Sequence, residues 1–160
     1  MYVYLAGIIQ GSVIDKCIAW RKKIVEYYSN WKGSGIPYEN LYFLDPCNGE
    51  KNISADDMKF NIPTKFILDK DYNAIKKCNL FVANMDKFGV ERPPIGTIME
   101  VALAYDFHKP IIMITNEEVY KKHPFVSNMV SWYFETVDEM LEAKAINQLY
   151  KSMNFVKYDE

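Results

Sequence analysis

Four carboxylates of this chain stand near predicted strand ends or helix starts, where α/β proteins collect their functional groups. They are Asp45, Asp71, Asp86 and Glu100. Glu100 is the most informative of the four, because the predicted helix that contains it, 97–108, is otherwise nearly all apolar. Carboxylates serve as nucleophiles, general acids and general bases. The sequence therefore indicates carboxylate chemistry.

Each of these carboxylates also has a purely structural interpretation. Thr97-x-x-Glu100 has the spacing of a capping box, in which a glutamate reaches back to the first amide of a helix. Both roles can coexist, because a helix N-terminus favours an ionised carboxylate. Asp45 and Asp86 follow predicted strands and could be turn-forming residues. Asp71 could be a solvated residue of a helix.

Several kinds of site are excluded by the motifs that the chain lacks. It contains no phosphate-binding P-loop, no dinucleotide fingerprint and no G-x-S-x-G elbow. His108 and His123 are the only histidines, and the three cysteines (Cys17, Cys47 and Cys78) form no CxxC pair. We therefore expect no catalytic metal, no cofactor and no disulfide framework, which fits a reduced, cytoplasmic setting.

Length and charge further limit the class of protein and the kind of partner. The 160 residues predict one domain spanning 1–160. A net charge of −2 without a basic block argues against a nucleic-acid polymer as partner. No apolar run approaches the roughly 20 residues of a membrane helix, and residues 1–7 lack the basic region of a signal peptide. We expect a cytoplasmic protein with a small-molecule substrate.

Short apolar runs alternate with stretches of helical spacing. Strands are predicted at 2–6, 41–44, 79–84, 110–115 and 131–134, and helices at 14–31, 63–77, 97–108, 117–122 and 137–150. The helical spacing of 14–31 places Arg21 on the outer face. Residues 48–62 predict a long loop, either a functional lid or a tolerated insertion. The alternation predicts an α/β fold, a flavodoxin-like or Rossmann-like three-layer sandwich with a parallel sheet of about five strands.

A set of short motifs, in order over residues 2–114, resembles the nucleoside 2-deoxyribosyltransferase family. The motifs are Tyr4-Leu-Ala-Gly7, Trp20-Arg21, Asp45-Pro46, Asp71-x-x-x-Ile75-x-x-Cys78-x-Leu80-x-Val82-Ala83-Asn84, Arg92-Pro-x-Ile-Gly-Thr-x-x-Glu100 and Lys109-Pro-Ile-Ile112. Each motif is weak alone, but the set is specific. The resemblance also covers the related 2′-deoxynucleoside 5′-monophosphate N-glycosidases, which share the fold and the glutamate.

The resemblance implies a role for individual residues. Glu100 matches the nucleophile that attacks the anomeric carbon of a 2-deoxyribosyl group, and Tyr4 matches the tyrosine that orients it. Asp71 matches an aspartate near the base and the sugar. The positions that match the lining of the sugar pocket are Gly7, Gly96 and Thr97. Asp45 and Asp86 are further candidates for substrate binding.

The chain departs from the family pattern at Pro94. Many members have an aspartate there that helps to recognise and protonate the base, and Asp86 or Glu91 is a candidate substitute. The family also uses an asparagine donated by a neighbouring subunit, for which Asn128 is the candidate and His123 the alternative. Arg92, or Arg21, is the candidate ligand of a substrate phosphate.

The expected reaction is cleavage of the N-glycosidic bond of a 2′-deoxynucleoside through a deoxyribosyl intermediate on Glu100, with transfer to another nucleobase. One alternative is hydrolysis of a 2′-deoxynucleoside 5′-monophosphate, and another is a non-catalytic flavodoxin-like nucleotide-binding module. The resemblance further implies a homo-oligomer with shared active sites. The aromatic segments 20–28 and 132–134 are its predicted interface.

Overall fold

The computed structural model describes residues 1–9, 14–31, 41–47 and 63–153. The strands are β1 Tyr2–Gly7, β2 Tyr42–Leu44, β3 Leu80–Asn84, β4 Ile111–Ile114 and β5 Trp132–Phe134. The helices are α1 Ile14–Ser29, α2 Thr64–Lys77, α3 Ile95–Asp106, α4 Glu118–Lys122, α5 Pro124–Met129, α6 Val137–Glu142 and α7 Ala145–Met153. All strand pairs are parallel, in the order β2-β1-β3-β4-β5.

This order is the flavodoxin-like one, and the predicted α/β fold with a parallel sheet of about five strands is confirmed. The strands are short apolar runs because both faces of the sheet are covered. Against one face pack α1, α6 and α7, through residues such as Ile24, Met140 and Ile146. Against the other face pack α2 to α5, through residues such as Ile75 and Val101.

The side chains of one strand alternate between the two faces of the sheet. In β1, Val3 and Leu5 belong to the core beneath α1, whereas Tyr4 and Ala6 belong to the core beneath α2 and α3. Successive side chains of a strand point to opposite faces, so this alternation is fixed by the backbone. The tyrosine of β1 is thereby directed toward α3.

The predicted helices differ from those of the structure in three main respects. α3 begins at Ile95, two residues before the predicted start, because Pro94 is tolerated at a helix start and supplies the N-cap. The predicted helix 137–150 is two helices, with Lys144 between them in the left-handed region at φ 51°. This break lets both helices insert apolar residues into one core. The short helix α5 was not predicted.

The predicted loop 48–62 lies outside the described residues. Within the described part, no helix is long and apolar enough to cross a membrane. The assignment of residues 1–160 to one domain stays a prediction.

Candidate active site

A cavity of about 660 Å³ lies between α2 and α3, beside the carboxyl end of β1. The residues that line it are Gly7, Ile8, Ile9, Thr64, Ile67, Leu68, Asp71, Tyr72, Ile75, Arg92, Pro93, Pro94, Ile95, Gly96, Thr97, Met99, Glu100 and Leu103. Most of them are apolar, which suits a flat organic ligand, and the few polar groups can fix its orientation. The position agrees with the general rule that α/β sheets bind ligands beyond the carboxyl ends of their strands.

Glu100, which lines this cavity, is hydrogen-bonded to Tyr4 of β1. The hydroxyl of Tyr4 donates a hydrogen bond of 2.8 Å to Oε1 of Glu100. The Tyr4 ring is buried and stacks on Phe81 of β3, with ring centroids 5.3 Å apart. Because both the ring and the hydroxyl are held, the bond fixes the direction in which the carboxylate faces.

Glu100 is poised to change charge near neutral pH. Burial raises its pKa from 4.5 to about 7, and the neighbouring Asp71 carboxylate adds to this effect. The hydrogen bond from Tyr4 and the charges of Arg21 and Lys70 act in the opposite direction. An anionic nucleophile in an apolar cavity needs this kind of support, because its desolvation is otherwise costly.

Asp71 of α2 supplies the second carboxylate of the cavity. Its Oδ1 is buried and, within the described residues, has no hydrogen-bond partner. Lys70 lies 3.5 Å from this oxygen and also donates a hydrogen bond of 3.1 Å to the Pro46 carbonyl. Burial raises the pKa of Asp71, while Lys70 opposes the rise. Because Asp71 lines the cavity, its carboxylate is available to accept a hydrogen bond from a substrate donor.

The capping-box interpretation of Thr97 and Glu100 is wrong. Since α3 begins at Ile95, Glu100 is its sixth residue, too far along to reach the first amide. Pro94 is the N-cap, and it provides no side-chain cap. The carboxylate of Glu100 is instead bound to Tyr4.

Four of the other predicted site residues line the cavity, namely Gly7, Arg92, Gly96 and Thr97. Asp45 and Asp86 are not among the lining residues. Each forms a turn in which its Oδ1 accepts a backbone amide, from Cys47 at 2.9 Å and from Phe88 at 2.8 Å respectively. The turn-forming interpretation thus accounts for these two hydrogen bonds, and Asp45 has a further partner in Arg21.

The remaining candidates lie away from the cavity lining. Glu91 is exposed and does not line the cavity, so Asp71 and Glu100 are the carboxylates of its described lining. Asn128 is exposed on α5, where its amide donates to the Pro124 carbonyl. His123 caps α5 by accepting from the Phe125 amide at 3.3 Å. Among the described residues, no group of three or more metal-ligating side chains is placed to hold an ion.

Sequence reasoning missed the inward position of Arg21. The residue is 1% exposed, although the helical spacing of α1 predicted it on the outer face. Burial of its guanidinium is offset by an ion pair of 3.3 Å with Asp45 and by three backbone carbonyls. As a ligand of a substrate phosphate, Arg21 would have to give up these contacts.

The fold and the site together define an α/β protein with a half-buried carboxylate pair at the carboxyl edge of a parallel sheet. The model of the family described as nucleoside 2-deoxyribosyltransferase matches residues 3–141, and the chain belongs to that family. Its members include deoxyribosyltransferases and N-glycosidases.

Solved structures with the same fold are distant in sequence. The 2-deoxyribosyltransferase of Bacillus psychrosaccharolyticus has a TM-score of 0.60 and 15% identity, over 88% of this chain and 90% of its own. A CMP N-glycosidase of Clostridium botulinum has a TM-score of 0.54 and 16% identity, over 91% and 99%. A 2-desoxiribosyltransferase from Leishmania mexicana has a TM-score of 0.50 and 18% identity, over 74% and 70%. None of the curated proteins compared with the chain matches it.

Proposed function

We propose that this protein cleaves the N-glycosidic bond of 2′-deoxynucleosides and transfers the sugar to another nucleobase. The observation that carries the proposal is the Tyr4–Glu100 hydrogen bond, which holds the Glu100 carboxylate at a mostly apolar cavity beside Asp71. Cleavage of such a bond passes through an oxocarbenium-like state, which a carboxylate beneath the anomeric carbon stabilises and can trap.

The two half-reactions follow from this arrangement. In the first, an oxygen of the Glu100 carboxylate bonds to the anomeric carbon while the bond to the base breaks. The bonding electrons go to the base nitrogen, which takes up a proton. In the second, a nitrogen of another base bonds to the anomeric carbon, loses its proton and restores the Glu100 carboxylate. The apolar cavity wall limits access of water to the intermediate.

Tyr4 and Asp71 have supporting roles in this proposal. The Tyr4 hydroxyl holds one oxygen of Glu100 and leaves the other for the sugar. Oδ1 of Asp71 accepts a hydrogen bond from the sugar or the base. Backbone around Gly7, Gly96 and Thr97 forms the wall against the sugar, where side chains are absent or small.

Hydrolysis of a 2′-deoxynucleoside 5′-monophosphate is the second candidate, and one observation favours it. Arg92 lines the cavity just before α3, whose N-cap, Pro94, provides no side-chain cap. A helix N-terminus and a guanidinium are both suited to an anionic phosphate. This reaction would use the same Glu100 intermediate, with water in place of the second base.

We also propose a homo-oligomer whose neighbouring subunit completes the site, by way of Asn128 or His123. The predicted interface at 20–28 and 132–134 lacks support, because Trp20, Tyr28 and Phe134 are buried in the protomer's own core. The large apolar residues that remain exposed are mostly on α2 to α5. They include Phe66, Leu68, Ile95, Met99, Val119 and Phe125.

Product analysis distinguishes these reactions. The protein is incubated with a 2′-deoxynucleoside or its 5′-monophosphate, with and without a second free base, and the products are resolved by chromatography. Transfer requires the second base and gives a new nucleoside, whereas hydrolysis of the monophosphate gives free base and deoxyribose 5-phosphate without it. A non-catalytic binding module gives no product from either compound. The Glu100→Gln variant is the control for contaminating activity.

A further inference from the structure

Arg21 occupies an unusual position for a charged side chain. It is among the largest fully buried side chains described, and it reaches the carboxyl end of β1 from the face opposite to Glu100. Nε lies 3.3 Å from the Leu5 carbonyl and 3.3 Å from Oδ1 of Asp45. Nη2 donates to the Gly7 carbonyl at 3.1 Å, and Nη1 donates to the Cys17 carbonyl.

These contacts connect three elements at the edge of the sheet where the cavity opens. Leu5 and Gly7 are in β1, Cys17 is in α1, and Asp45 follows β2. Gly7 itself lines the cavity. A planar guanidinium can donate in several fixed directions at once, whereas a lysine ammonium cannot reproduce that fork. The contacts of Arg21 therefore hold Gly7 at its position in the cavity wall.

The Gly7 wall is tightly confined, which makes its position sensitive to this support. A methyl group added at Gly7 would lie 2.9 Å from the Trp20 ring, 3.1 Å from the Asn84 carbonyl and 3.4 Å from Nη2 of Arg21. The Trp20 ring in turn packs against the guanidinium, 4.5 Å from its centroid to Cζ. Removal of Arg21 would leave both the Gly7 carbonyl and the Trp20 ring without this neighbour.

The charge of Arg21 also acts on Glu100 across the end of the sheet. The charged and titratable groups that influence Glu100 are Tyr4 from β1, Arg21 from α1, and Lys70 and Asp71 from α2. Arg92 precedes α3 and lines the same cavity. Arg21 lowers the pKa of Glu100, whereas burial and Asp71 raise it. Asp45 is the partner that offsets part of the positive charge of Arg21.

We propose that Arg21 is a positioning residue for the reaction of Glu100. Its guanidinium holds the Gly7 wall of the cavity in place, and its charge favours the carboxylate form of the nucleophile. This inference rests on the proposed function for its effect on turnover, but its effect on the ionisation of Glu100 does not depend on any substrate. Arg21 thus affects both the shape of the sugar pocket and the ionisation of Glu100 in it.

The test measures the ionisation of Glu100 directly and then the pH dependence of activity. Side-chain carboxyl carbons of ¹³C-glutamate-labelled protein are titrated by NMR, and the Glu100 signal is identified by its loss in Glu100→Gln. The variants are Arg21→Met, Arg21→Lys and Asp45→Asn. Asp45→Asn keeps an oxygen that can accept from the Cys47 amide, so it changes charge with little change in shape.

Arg21→Met and Asp45→Asn are expected to shift the midpoint of the Glu100 titration in opposite directions. Arg21→Met moves the Glu100 midpoint to higher pH by on the order of half a unit or more, the effect of one charge acting through partly solvated protein. Asp45→Asn moves it to lower pH by a smaller amount, because it leaves the charge of Arg21 less compensated. Arg21→Lys keeps the midpoint of the Glu100 titration near that of the wild type. It raises KM several-fold, because the hydrogen bonds from the guanidinium to the Leu5 and Gly7 carbonyls are lost.

A purely structural role gives a different result. Ile24→Val, a buried change in the same helix without a change in charge, is the matched control and should move neither the midpoint nor KM. Midpoints that stay at the wild-type value in both Arg21→Met and Asp45→Asn, or that move in the same direction, overturn the proposal. If Arg21→Met does not fold, Asp45→Asn and Arg21→Lys still decide it. A wild type that turns over no deoxynucleoside or deoxynucleotide contradicts the proposed function, while the NMR titration still tests Arg21.

Discussion

Replacing Glu100 by glutamine should make the protein more stable at alkaline pH while it removes activity. Burial raises the pKa of Glu100 from 4.5 to about 7. At roughly 1.4 kcal/mol per pH unit, this rise corresponds to about 3 kcal/mol. Glutamine has nearly the same shape and can still accept the Tyr4 hydroxyl, but it never has to be buried as an anion.

The sign of the effect follows from proton uptake. Between pH 4.5 and about 7, the folded protein holds the Glu100 proton more tightly than the unfolded chain does. The free energy of unfolding contributed by this group therefore falls as the pH rises through that window, and the full loss is present above pH 7. Glu100→Gln should match the wild type near pH 4 and exceed it by up to about 3 kcal/mol at pH 8.

Urea denaturation of both proteins at a series of pH values measures this difference. Glu142→Gln, an exposed change on α6, is the control and should give no pH-dependent gain. Turnover by Glu100→Gln should fall by orders of magnitude, because an amide is a poor nucleophile. A variant that is less stable than the wild type at pH 8, or a gain that is the same at pH 4 and pH 8, would refute the reasoning.

Four further predictions concern the cavity and the exposed apolar face of the protomer. Tyr4→Phe removes a hydrogen bond that lowers the pKa of Glu100, so the acid limb of kcat/KM should move to higher pH. Gly7→Ala should destabilise the protein, because its methyl group meets an indole ring and a carbonyl; denaturant midpoints measure this. Gly96→Ala is the contrast: its methyl group meets nothing within 4 Å and favours the helix by up to about 1 kcal/mol, yet it narrows the cavity and should raise KM. Phe125→Asp should shift the light-scattering mass toward a monomer; an unchanged mass, or a monomeric wild type at micromolar concentration, speaks against oligomerisation through this face.

The order of strands and helices could be predicted because the apolar residues that each element buries recur at regular spacing in its own sequence. The continuous apolar run Leu80–Ala83 and the helical spacing of α2 indicate in the local sequence which residues are buried. The positions of β3 and α2 were therefore predicted to within one or two residues. The boundary of α3 was harder to place. Thr97 has good capping chemistry, but the helix begins after Pro94, where the fixed proline geometry already permits a helical turn.

The types of chemistry that the chain can offer are visible in its sequence: a glutamate in an apolar helix, an aspartate before a buried strand, and motifs in family order. The family resemblance implied that Tyr4 orients Glu100, but the contacts that join distant groups, and their physical cause, are visible only in the fold. Tyr4 and Glu100 are 96 residues apart and are joined because β1 directs alternate side chains toward α3. Arg21 lies inward because Asp45 and the carbonyls of β1 offset its burial. Such partners come from distant parts of the chain, so no local pattern could reveal them.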